Sequence, residues 1–498
     1  MSEFVLGIFG GVFDPFSLLI IVEGVVLGII VGVLPGLSAT LGVALAAPIT
    51  FGMDSLQGIL LLLGIYVGAV YGGSISAILL GIPGTPAAVA TVLDGQPMSK
   101  RGEAGRAIGI STISSFVGGL FGVALLAVLA KPVGIFGLAF GEREYLALGI
   151  LALTAVAHLS GASFIKGVFS VAIGLFVSTI GIDEIHGIPR FTFGNVDMLG
   201  GIPYIPVMIG LFAIPETMIS IEQLSAVKPK FPPVERVLPS KGMLRGLFKP
   251  VLRSSVIGGV VGAVPGTGAD IAAIIAYAQG KAMSKHPEKY GTGYPEGIAC
   301  PESANNAACG GAMVPLLTLG IPGGAVTAVI MGAFMVHGLQ PGPLLMANNA
   351  DIVYKLVLGF GVANLVMLTV GLSAARFFGK VSRMPQALLN PIIILLCIAG
   401  SYSMRNNWFD VYVMGISGMF GYALIKTGIP RPPLVIGMIL SGMIESNLAR
   451  SVMLCAGNPM MFFTPISTGL LILAVAPFSK PLVKKVWRSL RSPRRQPN

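Results

Sequence analysis

Long uninterrupted apolar runs dominate the chain, as in GILLLLGIYVGAV (58–70), GLFGVALLAVLA (119–130) and LLILAVAPF (470–478). A barrel would instead alternate apolar and polar residues over segments of ~10 residues. Continuous runs of this kind predict membrane-spanning helices. In the first half they fall near 58–98, 106–131, 145–160, 163–181 and 201–224. Two places interrupt the pattern: GVLPGLSAT (32–40) and GAVPGTGAD (262–270) each put Pro-Gly inside apolar sequence. Proline breaks a helix because it has no amide to donate and its ring clashes with the preceding turn. The run 58–98 also cannot be one helix, since at 1.5 Å per residue it would be roughly 60 Å long. Breaks are expected at Gly72-Gly73 and between Gly81 and Pro86.

These interruptions recur in order. Gly32 to Gly36 returns as Gly262 to Gly266. Gly81-Ile82-Pro83-Gly84 returns as Gly320-Ile321-Pro322-Gly323, each after a Gly-Gly pair. PVMIG (206–210) returns as PLVIG (433–437), and TIGI (179–182) as KTGI (426–429), with offsets from 227 to 247. Four matches in series imply two related halves.

Composition fixes the class. Hydrophobic residues make up 54% of the 498 and charged residues 11%, against about a quarter charged in soluble domains. The expected fold is therefore an all-α polytopic membrane protein with about 11–12 transmembrane segments. The net charge of +11 is clustered: residues 228–253 hold seven Lys and Arg, the tail from Lys480 seven more, and 100–106, 281–289 and 376–383 three each. In a membrane chain such clusters mark the cytoplasmic side, so nucleic acid is not the expected partner. Places matching the basic loops of one half are bare in the other: 340–352 against 100–106, and 51–57 against 281–289. Two inverted-topology repeats follow, 16–227 and 254–458, joined by a cytoplasmic linker, 228–253. A C-terminal helix (459–479) and a cytoplasmic tail (480–498) complete the chain. Residues 1–15 carry no basic residue, so no signal peptide is expected.

Arg253 and Lys281 then lie on one side although 27 apolar-rich residues separate them. A re-entrant hairpin with its tip at Pro265-Gly266 satisfies both, and by symmetry 18–50 forms another with its tip at Pro35-Gly36. Non-helical backbone at membrane depth is tolerated where it is buried or lines a wet cavity. Inverted repeats with broken helices converging at the midplane describe a secondary transporter. Cut helix ends offer carbonyls to a hard cation and amides to a carboxylate. The candidate substrate ligands are Ser38, Thr40, Ser74, Ser76, Thr85, Thr267, Asn305 and Asn306. Pro35, Gly36, Pro265, Gly266, Asp270 and Asn306 are candidates for a coupling cation. Gly81, Pro83, Gly84, Gly320, Pro322 and Gly323 form the broken-helix segments.

Each candidate has a plainer alternative. Hydroxyls in membrane helices often bond back to their own backbone, and Pro-Gly can be a packing kink. Asp270 and Glu302 are functional candidates as intramembrane carboxylates, unless they are merely solvated. Residues 94–107 read as a cytoplasmic connector. The cysteines (300, 309, 397, 455) have no metal-ligand spacing, so no transition metal and no cofactor beyond a coupling ion is expected. H-E-x-x-H, G-x-S-x-G and Walker A patterns are absent from the sequence, which argues against an enzyme. An ion channel or an intramembrane enzyme are the rival classes.

GVLPGLSAT, GIPGTPAAVATVLDGQPMSKRGEAGRAIG (81–109), PESANNAACGGAMVPLLTLGIPGG (301–324) and GLQPGPLL (338–345) together resemble the large permease subunit of the bacterial tripartite tricarboxylate transporters. The resemblance runs from about residue 16 to 475. It implies a subunit of the bacterial cytoplasmic membrane, a separately encoded small membrane subunit, and a periplasmic binding protein that delivers a small organic carboxylate. It further implies uptake driven by a cation gradient, commonly Na⁺ with H⁺ as the alternative, and a site lined by the Pro-Gly tips and the Gly-Ile-Pro-Gly segments. An elevator-like motion is expected, the hairpin-bearing bundle moving against a scaffold that includes 106–131 and 353–375 and holds the small subunit.

Overall fold

A computed structural model describes residues 2–159, 163–183, 185–222, 237–381 and 384–476, without the side chains of 2–6 and 386. The tail 480–498 and residues 228–236 of the linker lie outside the described residues. The first half holds α1 (Ser2–Phe13), α2 (Pro15–Val33), α3 (Ala39–Thr50) and α4 (Ser55–Leu80). A 3-10 turn, Pro86–Ala88, leads into α5 (Val89–Met98), then α6 (Ala104–Leu138), α7 (Glu142–Leu159) and α8 (Phe164–Ser178). Two short antiparallel strands, β1 (Gly181–Ile182) and β2 (Pro189–Arg190), precede α9 (Tyr204–Glu222). The second half holds α10 (Lys241–Gly262), α11 (Gly268–Met283), α12 (Pro295–Leu319), α13 (Ala325–Val336) and α14 (Pro343–Asn348). It continues through α15 (Ala350–Ser373), α16 (Ala375–Val381), α17 (Gln386–Arg405), α18 (Trp408–Thr427) and α19 (Pro432–Cys455). An apolar helix, Pro465–Ala476, follows. Among the described residues eight helices are long and apolar enough to cross a membrane. The protein is an all-α polytopic membrane protein.

Both Pro-Gly sites are tips of helical hairpins. Asp14 caps α2 by accepting from the amides of Phe16 and Ser17 at 3.1 and 3.2 Å. The helix ends at Val33, and Gly36 turns the chain with φ +90°, a left-handed conformation that side chains disfavour. Ser38 then opens α3 by accepting from the Leu41 amide at 3.1 Å. Glycines fix the direction of the legs. A Cβ on Gly28 would lie 2.4 Å from the Ile65 carbonyl oxygen, and one on Gly32 2.2 Å from that of Ala69. Helices α2 and α4 therefore run parallel and nearly touch, and α3 must carry the chain back between them. The second half repeats the device. A Cβ on Gly258 or Gly262 would lie 2.1 or 2.4 Å from the carbonyl oxygen of Ala304 or Ala308, Gly266 turns with φ +84°, and α11 returns.

Three expectations need correction. Helix α4 passes unbroken through Gly72-Gly73. These glycines instead admit neighbours: a Cβ would meet the Ile29 carbonyl oxygen at 2.6 Å or the Thr85 hydroxyl at 2.2 Å. The break comes only at Gly81, φ +72°, matched by Gly320, φ +70°, after α12. The basic linker is not all connector, because Ser240 caps α10 and the helix takes up Lys241 onward. The helices expected as a scaffold pack instead on the hairpin-bearing helices. A Cβ on Gly118 or Gly122 of α6 would lie 2.0 or 2.6 Å from the carbonyl oxygen of Ser303 or Ala307 of α12. Contacts this close bind α6 to the hairpin-bearing body. Gly359 of α15 packs on Leu60, and Gly371 on Tyr71, so α15 joins that body as well. A second body forms from α7, α8, α9, α17, α18 and α19 and meets the first chiefly through α3 and α13.

Helix directions follow from the same contacts. Residues 118 and 122 of α6 meet 303 and 307 in register, so α6 and α12 are parallel. Gly371 meets Thr112 while Gly119 meets Asn364, so α6 and α15 are antiparallel. Gly359 meets Leu60 and Gly371 meets Tyr71, so α15 runs with α4. Helices α4 and α12 thus point in opposite directions.

Candidate functional site

Where the two hairpin tips approach each other, a cavity of about 70 Å³ opens. The first half contributes Ser38 to Thr40 from its tip and Thr85 to Ala87 from the restart after its glycine break. The second contributes Gly268 to Asp270 and Gly324 to Val326. Tyr66 and Val70 of α4 complete the wall. Each contributed segment begins a helical turn: α3, the 3-10 turn before α5, α11 and α13. Four helix N-termini therefore aim at one small volume. Free amides and aligned peptide dipoles make such ends favourable for anions.

The break segments are seated on the tips, and glycine permits it. A Cβ on Gly84 would lie 1.9 Å from the Gly32 carbonyl oxygen, and one on Gly323 would lie 2.8 Å from that of Gly262. The Gly84 amide donates to the Gly73 carbonyl at 3.2 Å, and the Gly266 amide to the Gly323 carbonyl at 2.9 Å. Gly81 and Gly320 supply the left-handed ends of the preceding helices. Pro83 and Pro322 lie in the same breaks but do not line the cavity.

Of the candidate ligands, Ser38, Thr40, Thr85 and Asp270 line the cavity. Asp270 is exposed, so it faces an accessible space. Asn305 donates to the Ala87 carbonyl at 3.4 Å, behind the wall. The Thr85 hydroxyl, the Asn305 side-chain oxygen and both amide atoms of Asn306 are buried without a hydrogen-bond partner. Most buried polar groups are satisfied, so the Thr85 hydroxyl, which lines the cavity, retains capacity for a polar ligand, whereas Asn305 and Asn306 do not line it. Thr267 is spent on its own turn, donating to the carbonyls of Val261 and Val264 at 2.5 and 2.8 Å. Ser74 and Ser76 do not line the cavity. Ser76 donates to the Gly73 carbonyl at 3.2 Å, and Ser74 donates to the Tyr71 carbonyl at 2.8 Å and meets Ser111 at 2.6 Å. Pro35 and Gly36 border a separate cleft of about 10 Å³ against Glu216, Thr217 and Asn390. Among the described residues no group of three His, Cys, Asp or Glu could hold a metal ion.

Sequence reasoning missed Tyr66 and Val70, whose position inside a uniform apolar run gives no signal. It also missed Asp94. That carboxylate is fully buried and accepts from the amides of Gly291, Gly293 and Tyr294 at 2.8–3.0 Å and from the Tyr277 hydroxyl at 2.9 Å. Arg101 reinforces the clasp by donating to the carbonyls of Thr292 and Gly293 at 2.6 and 2.5 Å. Burial, with Cys300 and Glu296 beside it, pushes the neighbouring Tyr290 phenol above its ordinary value. The connector 94–107 therefore ties the first half to the loop preceding α12.

Comparison with known proteins gives the same assignment. The sequence pattern described as "Tripartite tricarboxylate transporter TctA family" matches residues 18–436. A protein of Agrobacterium vitis described as "Uncharacterized 52.8 kDa protein in TAR-I ttuC' 3'region" is 35% identical over 454 residues, covering 91% of this chain and 90% of the relative. A second from the same organism, "Uncharacterized protein in TAR-II ttuC' 3'region", is 37% identical over 209 residues, 42% of this chain and 86% of its own length. No solved structure matches the chain significantly. The match across most of its length places the protein in the tripartite tricarboxylate transporter TctA family.

Proposed function

We propose that this large membrane subunit imports a small organic carboxylate, driven by a cation gradient and handed over by a periplasmic binding protein. The observation that carries the proposal is the convergence of four helix N-termini, two from each half, on one cavity. Among the described residues no Lys, Arg or His lines that cavity, so the amides and dipoles are what would hold the anion. Na⁺ or H⁺ supplies the driving force, and Asp270 stands at the cavity as the fixed charge a cation could meet.

Access alternates between the two sides of the bilayer. The cavity is far smaller than the roughly 300–1,000 Å³ of usual ligand pockets, so a di- or tricarboxylate enters only when the walls part. A second cavity of about 610 Å³ lies at the other end of α13, lined among others by Tyr145, Gln340, Asn447 and Arg450. Val326 lines the first cavity and Met331 and Met335 line the second, so α13 spans the distance between them. The larger cavity serves as the vestibule on the periplasmic side. The opposed directions of α4 and α12 support two inverted repeats, with each hairpin re-entering the bilayer from its own face. The moving boundary is the contact of α3 and α13 with the second body, giving an elevator-like exchange of sides. The subunit sits in the cytoplasmic membrane with its central linker and basic tail inside, beside the small membrane subunit.

Proteoliposomes holding both membrane subunits, with the binding protein outside, test this. Labelled citrate or succinate should accumulate, and accumulation should collapse when Na⁺ is replaced by choline or when the proton gradient is dissipated. Uptake indifferent to every ion gradient removes the coupling. Absence of protein-dependent carboxylate uptake under all conditions removes the transport function itself.

A further inference from the structure

Glu302 is used neither by the cavity nor by the clasp. It lies on α12, whose residues from Gly297 to Thr318 are all buried, and is itself 0% exposed. Asn305, one turn along, bonds to the cavity-wall residue Ala87, and Thr91 lies one turn beyond Ala87. Glu302 therefore sits one helical turn, about 5 Å, behind the cavity. Thr91 donates to its Oε1, while Ser111 and Ser115 stand 3.2 and 3.1 Å from its Oε2.

All of these partners are neutral. Among the described residues no cation pairs with Glu302. The ionisable groups on the elements around it are otherwise engaged. Tyr71 of α4 bonds to Thr112, and Asp94 of α5 holds the backbone amides of the clasp. Tyr277 of α11 bonds to Asp94, Asp270 faces the cavity, and Cys309 of α12 donates to the Asn305 carbonyl. Cys300 lies beside Tyr290, and among the described residues Arg253 of α10 forms no ion pair with Glu302. A buried charge without a counter-charge is strongly disfavoured.

Ser111 also meets the Ser74 hydroxyl at 2.6 Å, and Ser74 donates to the Tyr71 carbonyl at 2.8 Å, so a chain of hydroxyls leads from Glu302 into α4. A hydroxyl can donate to a carboxylate or, rotated, accept from a carboxylic acid, so this setting accommodates Glu302 with or without its proton.

We propose that Glu302 is the proton-carrying residue of the transporter. Oε2 takes one proton from water when the cavity opens to one side and gives it to water on the other, so one proton crosses with each loaded cycle. The proposal rests on the transport function above and names its coupling ion.

Proteoliposomes holding both membrane subunits with the binding protein, and labelled citrate and succinate as probes, decide it. In the wild type, substrate addition should alkalinise a lightly buffered external medium, and acidifying the outside should raise accumulation at least tenfold over a pH-matched control. Glu302→Gln, which keeps a neutral amide in place of the acid, should retain exchange of labelled for unlabelled substrate. It should lose accumulation driven by the pH gradient. A purely structural role would impair both together. Wild-type uptake that needs Na⁺ and ignores the pH gradient overturns the proposal while leaving carboxylate transport intact. So does undiminished pH-driven accumulation by Glu302→Gln. The wild-type proton measurement decides the matter even if the variant does not fold.

Discussion

A single hydroxyl can serve a ligand or merely its own helix, and hydrogen-bond accounting separates the two. Thr85 faces the cavity with a buried hydroxyl that has no partner, whereas Ser76 bonds to the Gly73 carbonyl within its own helix. A hydrogen bond to a charged group contributes about 1.5–3 kcal/mol. Thr85→Val should therefore weaken apparent substrate affinity about tenfold or more in uptake assays, while Ser76→Ala should leave it unchanged. The glycines can be sorted the same way. Gly84 lies against the Gly32 carbonyl, but a Cβ on Gly415 would find nothing within 4 Å. Overpacking costs typically 1–3 kcal/mol. Gly84→Ala should lower the melting temperature in detergent and abolish uptake, while Gly415→Ala should stay within about 0.5 kcal/mol of the parent.

Among elements, the clasp on Asp94 couples parts far apart in sequence. Four donors converge on one buried carboxylate, three of them backbone amides that have no other acceptor of equal strength. Asp94→Asn turns an amide group towards some of those donors. It should cost about 3 kcal/mol or more, seen as a lower melting temperature and as protease cleavage between Gly291 and Tyr294. The hairpins are elements of another kind. Their legs gain by lying against α4 and α12 at glycine distance, and their tips stay short because Pro-Gly cannot extend a helix. Between the tips, the Thr85 hydroxyl lines the cavity and is left without a partner.

For the whole molecule, the proposed topology makes a claim that accessibility can check. Single cysteines at positions 253 and 281 should react with an impermeant maleimide from the same side of the membrane, and a cysteine at 340 from the opposite side. Labelling of 253 and 281 from different sides would remove the hairpin between them. The packing also divides the molecule differently from the expected scaffold, since α6 and α15 join the hairpin-bearing body and α7–α9 with α17–α19 form the other.

The chain alone determined the membrane class and the breaks at Pro35-Gly36, Pro265-Gly266, Gly81 and Gly320. These are properties of composition and local backbone chemistry: apolar runs cannot be hydrated, and proline and glycine act on their own turn. Tertiary structure alone decided that Gly72-Gly73 is a contact and not a break, because a glycine inside a helix reads identically until its neighbour is known. It likewise decided which hydroxyls face the cavity. Ser38 and Ser76 look alike in sequence, and only the direction of the helix that carries each one separates them. Tyr66, Asp94 and the setting of Glu302 depend on partners some 180 to 210 residues away. No local pattern encodes such distances, since it is packing that brings the two halves into register.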